Sequence, residues 1–371
     1  MSNTKTIVIS GANITSGGPL TIYNNALMEL SQFPNYKIIA IVNNNKLFYK
    51  SDNISFVEIP QYKKFILLKF YFEYVYYKKM SKDINVDIWI SLNDFTPNVS
   101  VKNLFTYFHN ASIFFDIRLS DFMFSRSVIF QKIYYSIFIR FNLFKNKKFI
   151  VQQNWIGEKI HQKYNLSLNK LLVFKPININ SSREIKENIQ LKGNDSFKLF
   201  YPTRALGYKN IEFICDALNL LYYRYSITNI ELKITILENQ NNYTKYLKKK
   251  YHNLNIVWLG PISRDEVESN YQMTDLLVFP SRLETWGLPL SEFSRYNKPI
   301  FALDLEYVYE TVYNYPYLIT VKPNDAEELA LLIKSMINKE KLSYFDFSNI
   351  NLKTNIDSIK NWEGILEQIN K

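Results

Sequence analysis

Cysteine is all but missing: Cys215 is the single one in 371 residues. No intrachain disulfide can form and no Cys-based metal site can be assembled, which fits a reducing cytosol. Glycine (9) and proline (12) are also few, so the chain is neither low-complexity nor disordered. Long apolar runs are lacking too. None approaches the roughly 18 residues needed to cross a bilayer, and the greasiest region is interrupted by Lys132 and Arg140. The N-terminus runs straight into the strand-like Thr6-Ile-Val-Ile9, without the long apolar stretch and small-residue cleavage site of a signal peptide. What is abundant is material for cores: 47% of residues are apolar and 16% aromatic, with 28 Tyr and 27 Phe. At this length two domains are expected.

The formal charge of +11 is unevenly spread. Residues 1–180 carry 22 Lys and Arg against 10 Asp and Glu, net +12, and residues 181–371 are net −1. A basic first half suits nucleic acid, an anionic membrane or a phosphorylated substrate, and charge alone does not choose among them. Two stretches of this half, Tyr62–Lys79 and Phe122–Phe149, mix large apolar side chains with Lys and Arg. In the second, Lys132, Ser136 and Arg140 form a narrow polar stripe at helical spacing. Such segments are either core-facing helices with snorkelling cations or a membrane-surface patch. Nucleic acid ranks third, because no RNA- or DNA-binding motif accompanies the charge.

Short apolar runs alternate with helical stretches along the whole chain, which predicts parallel α/β sheets. In the first half the strand-like runs are Thr6–Ile9, Lys37–Val42, Ser55–Ile59, Ile88–Ser91, Leu104–His109 and Phe149–Val151. The loop Ser10–Pro19, with Gly17 and Gly18, leads into a helix from about Leu20 and is suited to cradling a phosphate or simply to a tight turn. Polar sequence around 178–196 marks an interdomain linker. A second series then begins with strand Lys198–Tyr201 and continues through Glu231–Leu237, Asn255–Leu259, Leu276–Phe279 and Pro299–Ala302. The expected architecture is two Rossmann-like parallel-sheet domains facing each other across a cleft. They span residues 1–180 and 181–354, with a C-terminal helix over about 355–371 packing back on the first.

The run Ser281-Arg-Leu-Glu-Thr-Trp-Gly-Leu-Pro-Leu-Ser-Glu292 follows the apolar Leu276–Phe279 and reads as strand, tight loop and helix start, with Glu284 in the loop and Glu292 in the helix. Open α/β sheets bind ligands where a strand hands polar groups to a helix N-terminus. An ordinary βα unit with two surface glutamates reads the same way. Arg204 and Lys209, five residues apart after the first strand of the second series, make two cations beside a helix start: a diphosphate clamp or plain surface charge.

Taken in order, Arg204-x4-Lys209, Val257–Ile262, Asp275–Ser281 and Glu284-x7-Glu292 with Gly287-Leu-Pro289 between them resemble glycosyltransferase family 4, the retaining group with the GT-B fold. The match is good over about 198–312; in the first half it rests on layout, the Gly17-Gly18 loop and His109. The resemblance implies that Glu292 holds the ribose hydroxyls of a nucleotide and that Glu284 contacts the donor sugar. Backbone N–H groups near Gly287 and Leu288 would approach sugar or phosphate, and Leu259, Gly260, Pro261 and Ile262 would lie against the base. Arg204 and Lys209 would bind the diphosphate, the Gly17-Gly18 loop would close over it, and His109 would lie beside the donor sugar; a hydrogen-bonded core histidine is the other reading. Three departures stand out. Thr203 and Asn210 replace glycines flanking the clamp, and Thr285-Trp286 stands where the family often has Gly-Phe, so Trp286 bears on the choice of sugar.

The resemblance further implies transfer of a sugar from a nucleotide diphosphate, with retention and no metal cofactor. His109, Arg204, Lys209 and Glu284 are the candidate catalytic residues. Together with the basic, aromatic first half, it suggests a lipid-linked saccharide acceptor in bacterial O-antigen or capsule assembly, at the cytoplasmic face of an anionic membrane, with no nucleic-acid partner. A sugar-nucleotide epimerase, a phosphorylase and a noncatalytic binding module are the alternatives.

Overall fold

The computed structural model describes residues 4–63, 65–176, 196–350 and 355–369. The linker expected around 178–196 falls on residues outside these up to 195. Contacts divide the chain into two compact units, one of residues 1–114, 131–178 and 353–371, the other of 115–130 and 179–352.

The first unit is built on eight strands: β1 (Lys5–Ser10), β2 (Tyr36–Val42), β3 (Ile54–Glu58), β4 (Ile88–Ser91), β5 (Asn103–Phe108), β6 (Lys148–Val151), β7 (Leu171–Phe174) and, from the C-terminal segment, Asp357–Ile359. Their order is Asp357–Ile359, β7, β6, β5, β4, β1, β2, β3, and each pairing is parallel. The order reverses between β1 and β4. Alternate residues feed two cores: Ile7 and Ile9 join Tyr23, Ile38 and Ile90 on one face, and Val8 joins Ile41 and Trp89 on the other. Burial on both faces is why these strands read as continuous apolar runs rather than as polar–apolar alternation.

The second unit holds β8 (Phe197–Tyr201), β9 (Ile230–Ile234), β10 (Ile256–Trp258), β11 (Leu276–Phe279), β12 (Ile300–Leu303) and β13 (Leu318–Val321). Again all are parallel, in the order β10-β9-β8-β11-β12-β13, with the reversal between β8 and β11.

The last segment departs from expectation. Instead of one helix from 355, residues Asp357–Ile359 form a strand beside β7, and only Glu363–Glu367 is helical. Asn, Asp, Ser and two Ile make poor helix and adequate strand, and a free edge on β7 completes the choice. Trp362 is buried between Tyr107 and Phe174, and its backbone N–H donates to Glu29 Oε2 at 2.7 Å.

The apolar-basic stretches divide their side chains. Around Tyr62–Lys79 the chain forms a helix Ile66–Tyr71, a π-helical turn Phe72–Tyr76 and a helix Tyr77–Asp83. Phe72 and Tyr77 are buried, whereas Leu67 is 76% and Val75 57% exposed. Phe70 packs on Tyr134 and Phe138, and Tyr74 on Phe141, so this element lies against the helix Arg126–Phe138. The core-facing reading therefore holds for the buried side chains, while Leu67 and Val75 face outward. Among the described residues no helix is long and apolar enough to cross a membrane.

Candidate active site

Three loops leave the C-terminal edge of the second sheet, two of them from the strands that flank its reversal point, where open parallel sheets form ligand crevices. The first follows β8. Thr203 is tied to the end of β9, its N–H donating to Thr235 Oγ1 at 2.8 Å and its carbonyl accepting from the same hydroxyl at 2.9 Å. Arg204 is exposed and, among the described residues, its side chain makes no hydrogen bond or ion pair. Asn210 closes the loop with φ +59°. That left-handed conformation favours glycine and tolerates asparagine, which explains how Asn210 stands where the family resemblance leads one to expect glycine.

The second loop follows β11. Lys209 and Glu284, 75 residues apart in the chain, meet in a salt bridge between side chains 13% and 16% exposed. The backbone N–H of Arg282 donates to the Tyr208 carbonyl at 2.9 Å, holding the two loops in register. Arg282 itself points away from this pair. Its guanidinium makes two 2.9 Å bonds to Asp121, a third of 2.6 Å to the Asp116 carbonyl and lies over Phe115; Arg282 and Asp121 side chains are 7% and 3% exposed. Gly287 has φ +86°, and a Cβ there would lie 3.3 Å from Leu290, so only glycine turns the chain into the helix Leu288–Phe293 without strain. Trp286 is anchored at both ends, its indole N–H to Ser291 Oγ at 3.3 Å and its carbonyl to the Thr311 hydroxyl.

Glu292 lies in that helix. Its Oε2 accepts from Tyr271 at 3.0 Å and its Oε1 is 3.4 Å from Arg264. Burial raises its proton affinity, opposed by the Tyr271 hydrogen bond and the Arg264 charge. The third loop, after β10, carries Gly260 (φ +70°), exposed Pro261 and half-buried Ile262. Ser263 then caps the helix Arg264–Met273 reciprocally with Glu266. Thus Lys209 and Glu284 touch, Glu292 reaches the third loop through Arg264, and Arg204 has no side-chain bond to any of them.

The remaining candidates belong to the first unit. His109 follows β5 and lines a cavity of about 140 Å³ with Asn13, Ile14, Ser16, Leu92 and Asp94, at the mouth of the helix Gly17–Leu30. Gly17 has φ +70°, and a Cβ on Gly18 would meet nothing within 4 Å. Among the described residues neither ring nitrogen of His109 makes a hydrogen bond of normal geometry. Burial lowers its pKa to about 4, so the imidazole is neutral near pH 7 and works as a dipole, not a cation. Asp94 accepts from the His109 N–H at 2.5 Å and from Tyr135 at 3.2 Å, and burial lifts its pKa to about 7. Behind it Asn93 receives the Asn13 N–H and donates to buried Glu73 at 2.7 Å.

Asp94, Arg282 and the partners of Glu292 are the site residues that sequence reasoning passed over. Only Asp94 carried a usable signal: an acidic residue just past the end of an apolar strand.

Residues 182–346 match the family described as glycosyl transferases group 1. Solved structures of similar fold include a glycosyltransferase from Rickettsia africae ESF-5, 18% identical, covering 99% of this chain and 94% of that one at a TM-score of 0.60. Another is the lipopolysaccharide outer core galactosyltransferase WaaB, 14% identical over 99% and 94% at 0.61. A third is Anabaena Alr3699/HepE in complex with UDP and glucose, 12% identical over 90% of both chains at 0.59. The fold is GT-B. With the family match it supports a GT-B glycosyltransferase. No curated protein matches the sequence significantly. In this GT-B chain the matched residues contain all three loops of the second sheet and exclude the His109 cavity.

Proposed function

We propose that this chain is a retaining glycosyltransferase of family 4. It moves a sugar from a nucleotide-diphosphate donor to a hydroxyl of a lipid-linked saccharide in bacterial surface-polysaccharide assembly. The observation that carries this is the gathering of exposed Arg204, the Lys209–Glu284 pair and half-buried Glu292 on one sheet edge, inside the segment matching glycosyl transferases group 1. A nucleotide-sugar donor is supported by related folds that hold UDP and UDP-glucose.

The division of labour follows from environment. Arg204, solvated and unbonded, meets the diphosphate first. Lys209 is already balanced by Glu284, so an arriving phosphate shares its charge, and Glu284 can turn an oxygen to a sugar hydroxyl. Glu292, held by Tyr271 and Arg264, presents a fixed acceptor to the ribose. As the bond from the anomeric carbon to the diphosphate oxygen breaks, the charge on that oxygen is met by the two cations; it takes the proton of the incoming hydroxyl, whose oxygen bonds to the anomeric carbon on the same face. No metal cofactor is required in this scheme. The acceptor approaches from a cytoplasmic membrane face that is anionic, to which the basic first half of the chain is drawn.

Release of nucleoside diphosphate from UDP-, GDP- and dTDP-sugars, with and without lipid-linked acceptor and in excess EDTA, tests the proposal. Acceptor-dependent, EDTA-resistant release is expected. Arg204→Ala and Lys209→Ala should each raise the barrier by about 2–4 kcal/mol, seen in kcat more than in KM. Unchanged turnover in both would remove the clamp.

A further inference from the structure

The chain between Asp121 and Glu158 contains no acidic residue, and in the part of it that belongs to the first unit the cations are gathered. Arg140 and Lys163 line a cavity of about 340 Å³ with Leu143, Phe144, Tyr164 and Asn165. Both lie over the Tyr164 ring, each at 5.7 Å from its centre. Lys163 also donates to the Ile113 carbonyl at 3.1 Å and to Ser136 Oγ at 3.3 Å, which fixes where its ammonium points. Among the described residues no carboxylate lies within ion-pair distance of Arg140 or Lys163. Lys132 adds to the positive field: it and Arg140, after burial, depress the proton affinity of Lys163. Two cations held over one ring without a counter-charge repel each other, and a bound anion relieves that repulsion.

One wall of this cavity is Phe144, 57% exposed, and beside it Phe141 and Ile137 are each 51% exposed. Phe141 packs on Tyr74, which with Lys78, Lys79 and Lys82 lines a second cavity of about 440 Å³ on the same unit. The apolar ridge is thus flanked by positive charge. A soluble anion has no use for the ridge; a lipid has use for both.

We propose that the Arg140–Lys163–Tyr164 cavity seats the phosphate of one anionic phospholipid headgroup while Phe141 and Phe144 enter the acyl boundary beside it. This deepens the membrane-surface part of the proposed function by naming the residues and the lipid chemistry. The two guanidinium and ammonium donors suit a phosphodiester, and the exposed rings suit the interface.

The test is calorimetric titration of the full chain with monomeric dihexanoylphosphatidylglycerol, with its phosphatidylcholine counterpart and with inorganic phosphate. Saturable one-to-one binding of the anionic lipid is expected, at least about tenfold tighter than either comparison ligand. Arg140→Gln/Lys163→Gln should weaken it by about tenfold or more. Lys248→Gln/Lys249→Gln, which removes the same charge from the second unit, should leave it within about twofold. Equal loss in both double variants would reduce the effect to net charge and overturn the seat. Equal affinity for inorganic phosphate would overturn the lipid assignment. Since this binding needs neither donor nor acceptor, and diphosphate release on a detergent-solubilised lipid-linked acceptor needs no anionic phospholipid, failure of the seat and failure of the transferase reading appear in different assays.

Discussion

Glu73 shows what burial does to a single group in this fold. It sits in the π-helical turn at 1% exposure, accepting from Tyr62 and Asn93, and burial lifts its pKa from 4.5 to about 7. A raised carboxyl pKa means that the fold prefers the protonated form. The stability it contributes is complete below about pH 4.5 and is lost as pH climbs through 7, about 3 kcal/mol in all. Glu73→Gln should therefore be the more stable protein at pH 8, by up to that amount, and the gap should close at pH 4.5; urea melts at the two pH values decide. Asp94, with the same direction of shift, would leave a residual slope in the variant. At this scale the sequence was legible where a residue's role is local. Glu284, Gly287 and Glu292 sit within nine positions, and their turn conformation follows from the glycine. The Lys209–Glu284 contact spans 75 residues, and no pattern along the chain announces it. Nor does the chain announce the neutral imidazole of His109, which depends on walls supplied by three different strand ends.

Elements were legible in proportion to how much local pattern sets them. The apolar runs behind β1, β2, β4, β8 and β11 stand within a residue or two of their expected bounds. β7 and β13 were missed, because Leu171–Phe174 and Leu318–Val321 are four-residue runs with little to separate them from neighbouring helices. The segment Phe115–Phe130 was the harder case. It reads as more of the first half, yet it belongs to the second unit, where Asp121 fixes Arg282 and Phe124 packs on Tyr243 and Tyr246. Besides these ring contacts its attachment includes one buried ion pair, and such a pair is costly to break singly. Asp121→Asn should destabilise the second unit by about 3–5 kcal/mol, whereas Asp121→Asn/Arg282→Met should recover much of the loss. Chemical denaturation followed by circular dichroism reads both; the Arg282 backbone N–H also holds the Tyr208 carbonyl beside Lys209. If the single and double variants are equally unstable, the pair does not anchor the segment.

For the molecule as a whole, two parallel sheets with the same kind of reversal point follow directly from the alternation of apolar runs and helices. Right-handed parallel crossovers leave few other arrangements for such a series. The charge division was equally plain from the chain. What it could not show is that the cations of the first half stand beside exposed rings, which requires the helices to pack first. Because each unit has its own core, unfolding should proceed in two steps. Trp362→Ala, removing a wholly buried indole, should lower the midpoint of one step, by about 3–5 kcal/mol of stability, and leave the other in place. Near-ultraviolet circular dichroism across a urea gradient would resolve the two; a uniform shift of a single transition would mean that the units do not unfold independently.

The strand Asp357–Ile359 and the buried Trp362 also set an order in time. β1 leaves the ribosome long before Asp357–Ile359, so the sheet to which β1 belongs lacks its outermost strand and the indole in its core until residues 357–362 emerge. Residues 197–350, by contrast, can close their own sheet while the tail is still being made, since domains fold as units during synthesis. The unit that holds β1 is therefore completed after the unit that holds residues 197–350, although β1 precedes every strand of the latter.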